Sequence, residues 1–201
     1  MSKLSLFFEA PYKIAIRKDS IPSPNKGEVL VKSIVSSISP GTEMLVYRNQ
    51  IPDDVPLDES IPRFNKPTRY PLKYGYSVVG EVVDIGKEVS SDWKKSIVFS
   101  FHPHESHFIT SPDNLIPVPK DIQPEEASFL PNIETAINLL MDGKPIIGEK
   151  VIVFGQGIVG LLTTSLLSNF PLSCILTLDK YSLRREKSLD ASGHVIQSQS
   201  I

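Results

Sequence analysis

Apolar and polar residues alternate along 3–9 and again along 13–18, with Pro11-Tyr12 between them, a pattern that predicts a β-hairpin. A Pro/Gly/Asn turn at 21–28 leads into EVLVKSIVSSI (28–38), which reads as a strand. Pro40 is expected in the first turn of a short helix, PGTEMLVYRN, where its missing N–H costs nothing. Residues 50–71 carry prolines at 52, 56, 62, 67 and 71 and predict a long, mobile surface loop. Strand pattern returns in GYSVVGEVVDIG (75–86), where Gly80 predicts a bulge or a close backbone approach. SIVFSF (96–101), HFIT (107–110) and NLIPVP (114–119) follow as short strands. The first part of the chain is thus expected to be a small barrel-like β domain.

The period then changes from two to about 3.6. PEEASFL (124–130) and PNIETAINLLMDG (131–143) predict helices, the second closed by Asp142-Gly143. KVIVFG reads as a buried strand, IVGLLTTSLLSNF as a helix, SCILTLD as a strand, LRREKSLDAS as a helix and HVIQS as the start of a third strand. That β-α-β-α-β order is the opening of a parallel α/β sheet.

Composition narrows the partners. The 201 residues carry a net charge of −2, so no basic face points to nucleic acid. No window approaches the roughly 20 apolar residues that span a bilayer. Cys174 is the single cysteine, which excludes an internal disulfide and a multi-cysteine zinc lobe. With no secretory signal pattern in MSKLSLFFEAPYK, a cytoplasmic protein is expected.

The chemistry concentrates at Gly155-Gln156-Gly157-Ile158-Val159-Gly160, a GxGxxG between a predicted strand and a predicted helix. Gly155 permits the tight turn, Gly157 lets the backbone approach a pyrophosphate, and Gly160 lets helix and strand pack closely. The amides of Ile158 and Val159 open the helix, where free N–H groups and the helix dipole attract phosphate. Asp179 ends the next strand at the spacing where an acid meets the adenine ribose, favouring NAD(H) over NADP(H). Lys180, Arg184 and Arg185 follow and oppose that preference. A second constellation is FHPHESHF (101–108), whose His102, His104 and His107, with Glu105, form an alternative zinc-binding cluster.

Several further stretches, GEVLVK (27–32), SISPGTE (37–43), YPLKYGYSVVGEVVDIGKEV (70–89), LIPVPKDIQPEEASFL (115–130), ETAINLL (134–140) and GEKVIVFGQGIVGLL (148–162), resemble the medium-chain dehydrogenase/reductase superfamily of zinc-type alcohol dehydrogenases. The resemblance implies a GroES-like catalytic domain over 1–122, connecting helices over 123–147 and a partial Rossmann domain over 148–201, an α+β portion followed by α/β. It also implies further sheet strands beyond Ile201, so that the chain reads as a C-terminally truncated portion with self-associating apolar faces on helices 157–168 and 183–190. The usual zinc ligands are replaced by Pro40, Tyr76 and, near the third ligand, Pro131, none of which can serve as a Cys or His donor. The likeness is therefore to a zinc-free branch similar to bacteriochlorophyllide hydroxyethyl dehydrogenase-like proteins. By the same resemblance, Thr42 matches the hydroxyl that starts a proton relay, Thr135 lies beside the nicotinamide, and Tyr76 points into the vacated metal site. The implied activity is hydride transfer between NAD and a carbonyl or secondary alcohol. Three alternatives stay open: a zinc enzyme built on the histidine cluster, an NADPH-dependent quinone-type reductase, and a non-catalytic interaction or oligomerisation module.

Overall fold

A computed structural model describes residues 2–52, 69–190 and the backbone of 196–199. The chain divides into two compact units, Met1–Phe129 and Leu130–Ile201.

In the first unit, β1 (Ser2–Ala10) and β2 (Lys13–Ser20) form the expected antiparallel hairpin, turning at Pro11-Tyr12. Five further strands, β3 (Val29–Ser36), β4 (Val78–Ile85), β5 (Ile97–Ser100), β6 (His107–Thr110) and β7 (Ile116–Pro117), form an antiparallel sheet in the order β6-β3-β4-β5-β7. Alternation places one face of these strands in a common core of Val29, Val31, Val78, Val82, Val98 and Phe108, joined by Leu115 just before β7. Trp93, between β4 and β5, packs against that core. Gly80 acts as its sequence suggests. A Cβ there would lie 2.6 Å from the Lys32 carbonyl oxygen, and the β3–β4 register shifts between Ser33 and Val35 directly across from it. Isolated bridges at Ser5–Glu105 and Phe8–Leu72 attach the hairpin.

The helix after Pro40 is shorter than expected. It is α1 (Thr42–Tyr47), with Gly41 at its N-cap, so Pro40 precedes the helix rather than occupying its first turn. The expected proline-rich loop over 50–71 falls mostly on residues 53–68, which lie outside the described residues. The unit ends in α2 (Pro124–Ala127), where the Glu126 carboxylate reaches back to accept the Gln123 N–H at 2.9 Å. Ser77 Oγ donates to the Ser128 carbonyl and Ser37 Oγ to Ser128 Oγ, both at 2.6 Å, which ties this end to β3 and β4.

The second unit begins with α3 (Leu130–Gly143). Its terminating left-handed residue is Lys144, at φ +45°, and not Gly143: the Lys144 N–H still reaches the Leu140 carbonyl. The strands β8 (Lys150–Phe154), β9 (Cys174–Leu178) and β10 (Ile196–Gln199) are parallel, in the order β10-β9-β8. They are connected through α4 (Ile158–Leu167) and α5 (Ser182–Asp190), the crossover that parallel strands require. Leu167, Leu172 and Ile175 form the core, with Leu140, Val151 and Val153 against it. Apolar exposure falls differently from the expectation. Leu183 and Leu189 of α5 are exposed, but α4 is largely half-buried, and the most open side chains are Phe154 on β8 and Ile147 before it. Among the described residues no helix is long and apolar enough to cross a membrane.

Candidate functional site

The glycine turn sits where β8 gives way to α4. Gly155 has φ +83°, a left-handed conformation that suits glycine, and its N–H donates to the Leu178 carbonyl of β9 at 2.7 Å. Gly157 is the N-cap of α4 and brings no side chain to cap it. A Cβ on Gly157 would meet nothing within 4 Å, so the space above the helix start is open. Gly160 is the opposite case, since its Cβ would fall 1.9 Å from the Gly155 carbonyl oxygen. The three glycines thus differ: Gly155 makes the turn, Gly157 leaves open space beside the backbone, and Gly160 packs against the turn. Ile158 and Val159 lead α4, half-buried, with their amides at its N-terminal end.

Two polar groups hold this turn from beneath. Asp179, at the end of β9, is 3% exposed. Its Oδ2 accepts the Gln156 N–H at 2.7 Å and its Oδ1 the Tyr181 N–H at 2.8 Å. The Tyr181 hydrogen bond holds the carboxyl below its ordinary range; burial opposes this, and the Gln156 bond and the nearby Arg184 charge add to it. Arg184 Nη1 lies 3.6 Å from the same carboxylate. Asp179 is therefore turned toward the protein backbone. The second group is Gln156, which no motif in the sequence marks beside its glycine neighbours. Its side chain is fully buried; Nε2 donates to the Gly155 carbonyl at 3.3 Å and Oε1 accepts Thr164 Oγ1 at 3.1 Å.

The other candidates are distributed over both units. Thr135, on α3, is exposed, and its hydroxyl donates to the Pro131 carbonyl one turn back at 2.9 Å. Thr42 begins α1 and is half-buried; its N–H donates to Ser39 Oγ at 3.3 Å. Tyr76 packs edge-on to Tyr74, beside a cluster of Phe8, Val46 and Tyr74.

The three histidines have separate partners, so the alternative of a zinc site at His102, His104 and His107 finds no common point in the structure. His102 stacks on Phe108 with ring centroids 3.9 Å apart, and its Nε2 faces Glu105 at 3.7 Å. His104 Nε2 meets Glu43 Oε2 at 2.7 Å, and its Nδ1 meets Ser36 Oγ. His107 Nδ1 meets Ser106 Oγ at 3.1 Å; burial, with the charges of Lys32 and Lys3, lowers its pKa. An irregular segment, not a continuous strand, connects β5 to β6, and it sends the rings in different directions. Among the described residues, no group of three or more His, Cys, Asp and Glu side chains could hold a metal ion.

Glu105 acts instead as a structural anion. Its Oε1 receives Ser5 Oγ at 2.7 Å, Lys73 Nζ at 2.8 Å and Lys3 Nζ at 2.9 Å. Burial disfavours its charge, but the hydrogen bonds from Lys73, Ser5 and Lys3, with the Lys73 charge, outweigh burial and hold the carboxyl at about 2. The contacts with Ser5 and Lys3 link positions about a hundred residues apart and that with Lys73 spans 32, and no local pattern announces them.

No family model matches the chain. Solved structures share its fold. A short-chain alcohol dehydrogenase of Escherichia coli, solved with NADH, aligns at 18% identity and a TM-score of 0.76, over 98% of this chain and 62% of its own. The 2R,3R-butanediol dehydrogenase of Bacillus subtilis aligns at 20% identity and 0.77, over 98% and 63%. A mycobacterial protein solved with NADPH aligns at 21% identity and 0.73, over 98% and 58%. The chain thus spans less than two thirds of the length of these relatives, and over that span it has their fold: a mostly antiparallel β unit followed by a parallel α/β unit.

Proposed function

We propose that this chain carries the dinucleotide-binding turn and the β domain of a nicotinamide-dependent oxidoreductase acting on a secondary alcohol or carbonyl. One observation carries the reading: the open space at Gly157, at the head of α4, lies within a turn whose other two glycines are structurally required. That opening is the cradle a diphosphate would fill, so the residues present fit the cofactor. The likeness in fold to proteins solved with NADH and with NADPH supports the same reading.

When bound, the dinucleotide supplies the hydride donor or acceptor at its nicotinamide ring. The chain's own residues supply the rest. The amides of Ile158 and Val159 hold the diphosphate, Gly160 keeps α4 close to the strand, and Asp179 fixes the turn through the Gln156 N–H. The negative charge of Asp179 favours NAD(H), while Arg184 beside it favours tolerance of NADP(H). Thr135 is assigned to the nicotinamide side, and the hydroxyls of Thr42 and Tyr76 to the substrate oxygen, a hydrogen-bonding role that needs no metal. Zinc has no part in this reading, because Pro40, Tyr76 and Pro131 offer no ligand chemistry at the positions matching the metal site.

The test is a titration of the chain with NADH and with NADPH, followed by nicotinamide fluorescence. Saturable binding of NADH is expected. Gly157→Val places its side chain in open space at an ordinary φ of −72°, so the fold should survive while affinity falls at least tenfold. Equal binding by both proteins, or none by either, would overturn the proposal.

A further inference from the structure

The first unit contains a hydrogen-bonded Ser–His–Glu chain that the dinucleotide site does not use. Ser36 ends β3, Glu43 lies on α1, and His104 sits between β5 and β6, so three separate elements converge. His104 Nε2 meets Glu43 Oε2 at 2.7 Å, and His104 Nδ1 meets Ser36 Oγ. Glu43 is 3% exposed, and its other oxygen accepts the Ser39 N–H at 2.8 Å, which fixes the carboxylate's orientation.

The proton positions follow from what each group can do. An ionised carboxylate only accepts, so His104 Nε2 carries the hydrogen. In the neutral ring Nδ1 then holds the lone pair and accepts the Ser36 O–H. This is a base facing a serine and an N–H facing an acid, the division of labour of a nucleophilic triad with the two ring nitrogens exchanged. The chain also makes room for this arrangement. Gly75 has φ +131°, and a Cβ there would stand 2.6 Å from His104 Nε2, so a side chain at 75 would displace the imidazole.

Ser36 and His104 open onto a cleft of about 350 Å³ whose apolar wall includes Leu4, Leu6, Ile16 and Ile34. Ile16 and Ile34 are 60% and 50% exposed, apolar surface left uncovered around a polar reactive pair. We propose that Ser36 is a nucleophile, activated by His104 and oriented by Glu43, that takes the acyl group of carboxylic esters with short apolar acyl chains. Ser36 Oγ forms a bond to the ester carbonyl carbon as its proton passes to His104 Nδ1. The ester C–O bond then breaks, and the leaving alkoxide takes that proton from His104. Water, activated by the same nitrogen, adds to the acyl-serine and releases the carboxylic acid, which restores Ser36.

The test treats the 201-residue chain with a fluorophosphonate and, separately, with p-nitrophenyl acetate and butyrate, and maps adducts by peptide mass. Ser36 is expected as the dominant modified residue, with butyrate consumed several-fold faster than acetate. Ser36→Ala should abolish both reactions, and Glu43→Gln should slow labelling at least tenfold while the chain stays folded at the assay temperature, checked by its circular dichroism. His104→Gln should do the same, and Glu43→Gln decides the matter if that variant does not fold. No adduct at Ser36, or an unchanged labelling rate in Glu43→Gln, would overturn the assignment. Dinucleotide binding plays no part in these readouts, so the two sites stand or fall separately.

Discussion

Replacing Glu105 by Gln should destabilise the first unit by an amount that depends on pH in a defined way. In the folded chain the carboxyl is held at about 2, against 4.5 for an ordinary glutamate. At about 1.4 kcal/mol per pH unit, that gap contributes about 3 kcal/mol of stability at neutral pH. The folded value is the depressed one, so the contribution is fully present above pH 4.5 and is lost as pH falls toward 2. By pH 3 roughly 2 kcal/mol of it should be gone. Gln keeps the shape and an acceptor but brings no charge to Lys3 and Lys73, and breaking a buried pair from one side costs about 3–5 kcal/mol. The variant should therefore be about 3 kcal/mol less stable than the parent at pH 7, and the difference should shrink to about 1 kcal/mol at pH 3. Trp93 is the only tryptophan and packs on the core of this unit, so urea unfolding followed by its emission reads the right region. A difference in stability that is the same at pH 7 and pH 3 would show that the charge of Glu105 is not what stabilises this unit.

Two other substitutions test close packing. Gly160→Ala forces a methyl against the Gly155 carbonyl oxygen, now 1.9 Å from where it would sit, and should cost about 1–3 kcal/mol while weakening NADH binding, measured by hydrogen exchange across α4 and by fluorescence titration. Gly75→Ala combines a left-handed φ with a contact on His104 and should lower the unfolding free energy read from Trp93 in urea by about 2 kcal/mol or more; a change under about 0.5 kcal/mol would show that the imidazole is free to move.

What the chain order reveals depends on the range of the forces involved. The hairpin, the glycine turn and the alternation of β8, α4, β9 and α5 were readable because period and turn chemistry are local. Even the third parallel strand, β10, was visible in a few apolar residues near the end. The polar connections were not. Glu105 meets Ser5 and Glu43 meets His104 across 100 and 61 residues of chain, and nothing in FHPHESHF distinguishes a ligand cluster from three rings with different partners. Asp179 is a middle case: its place at the strand end was legible, but its inward hydrogen bonds to Gln156 and Tyr181 were set by the turn itself.

The buried Gln156 changes what the glycine loop costs to use. A loop braced through Thr164 on one side and Asp179 on the other is ordered without a ligand, as the proposed dinucleotide site requires. Little conformational entropy is left to lose, so more of the contact energy survives as affinity. On the proposed function, encounter rather than loop rearrangement would set the rate at which a dinucleotide associates.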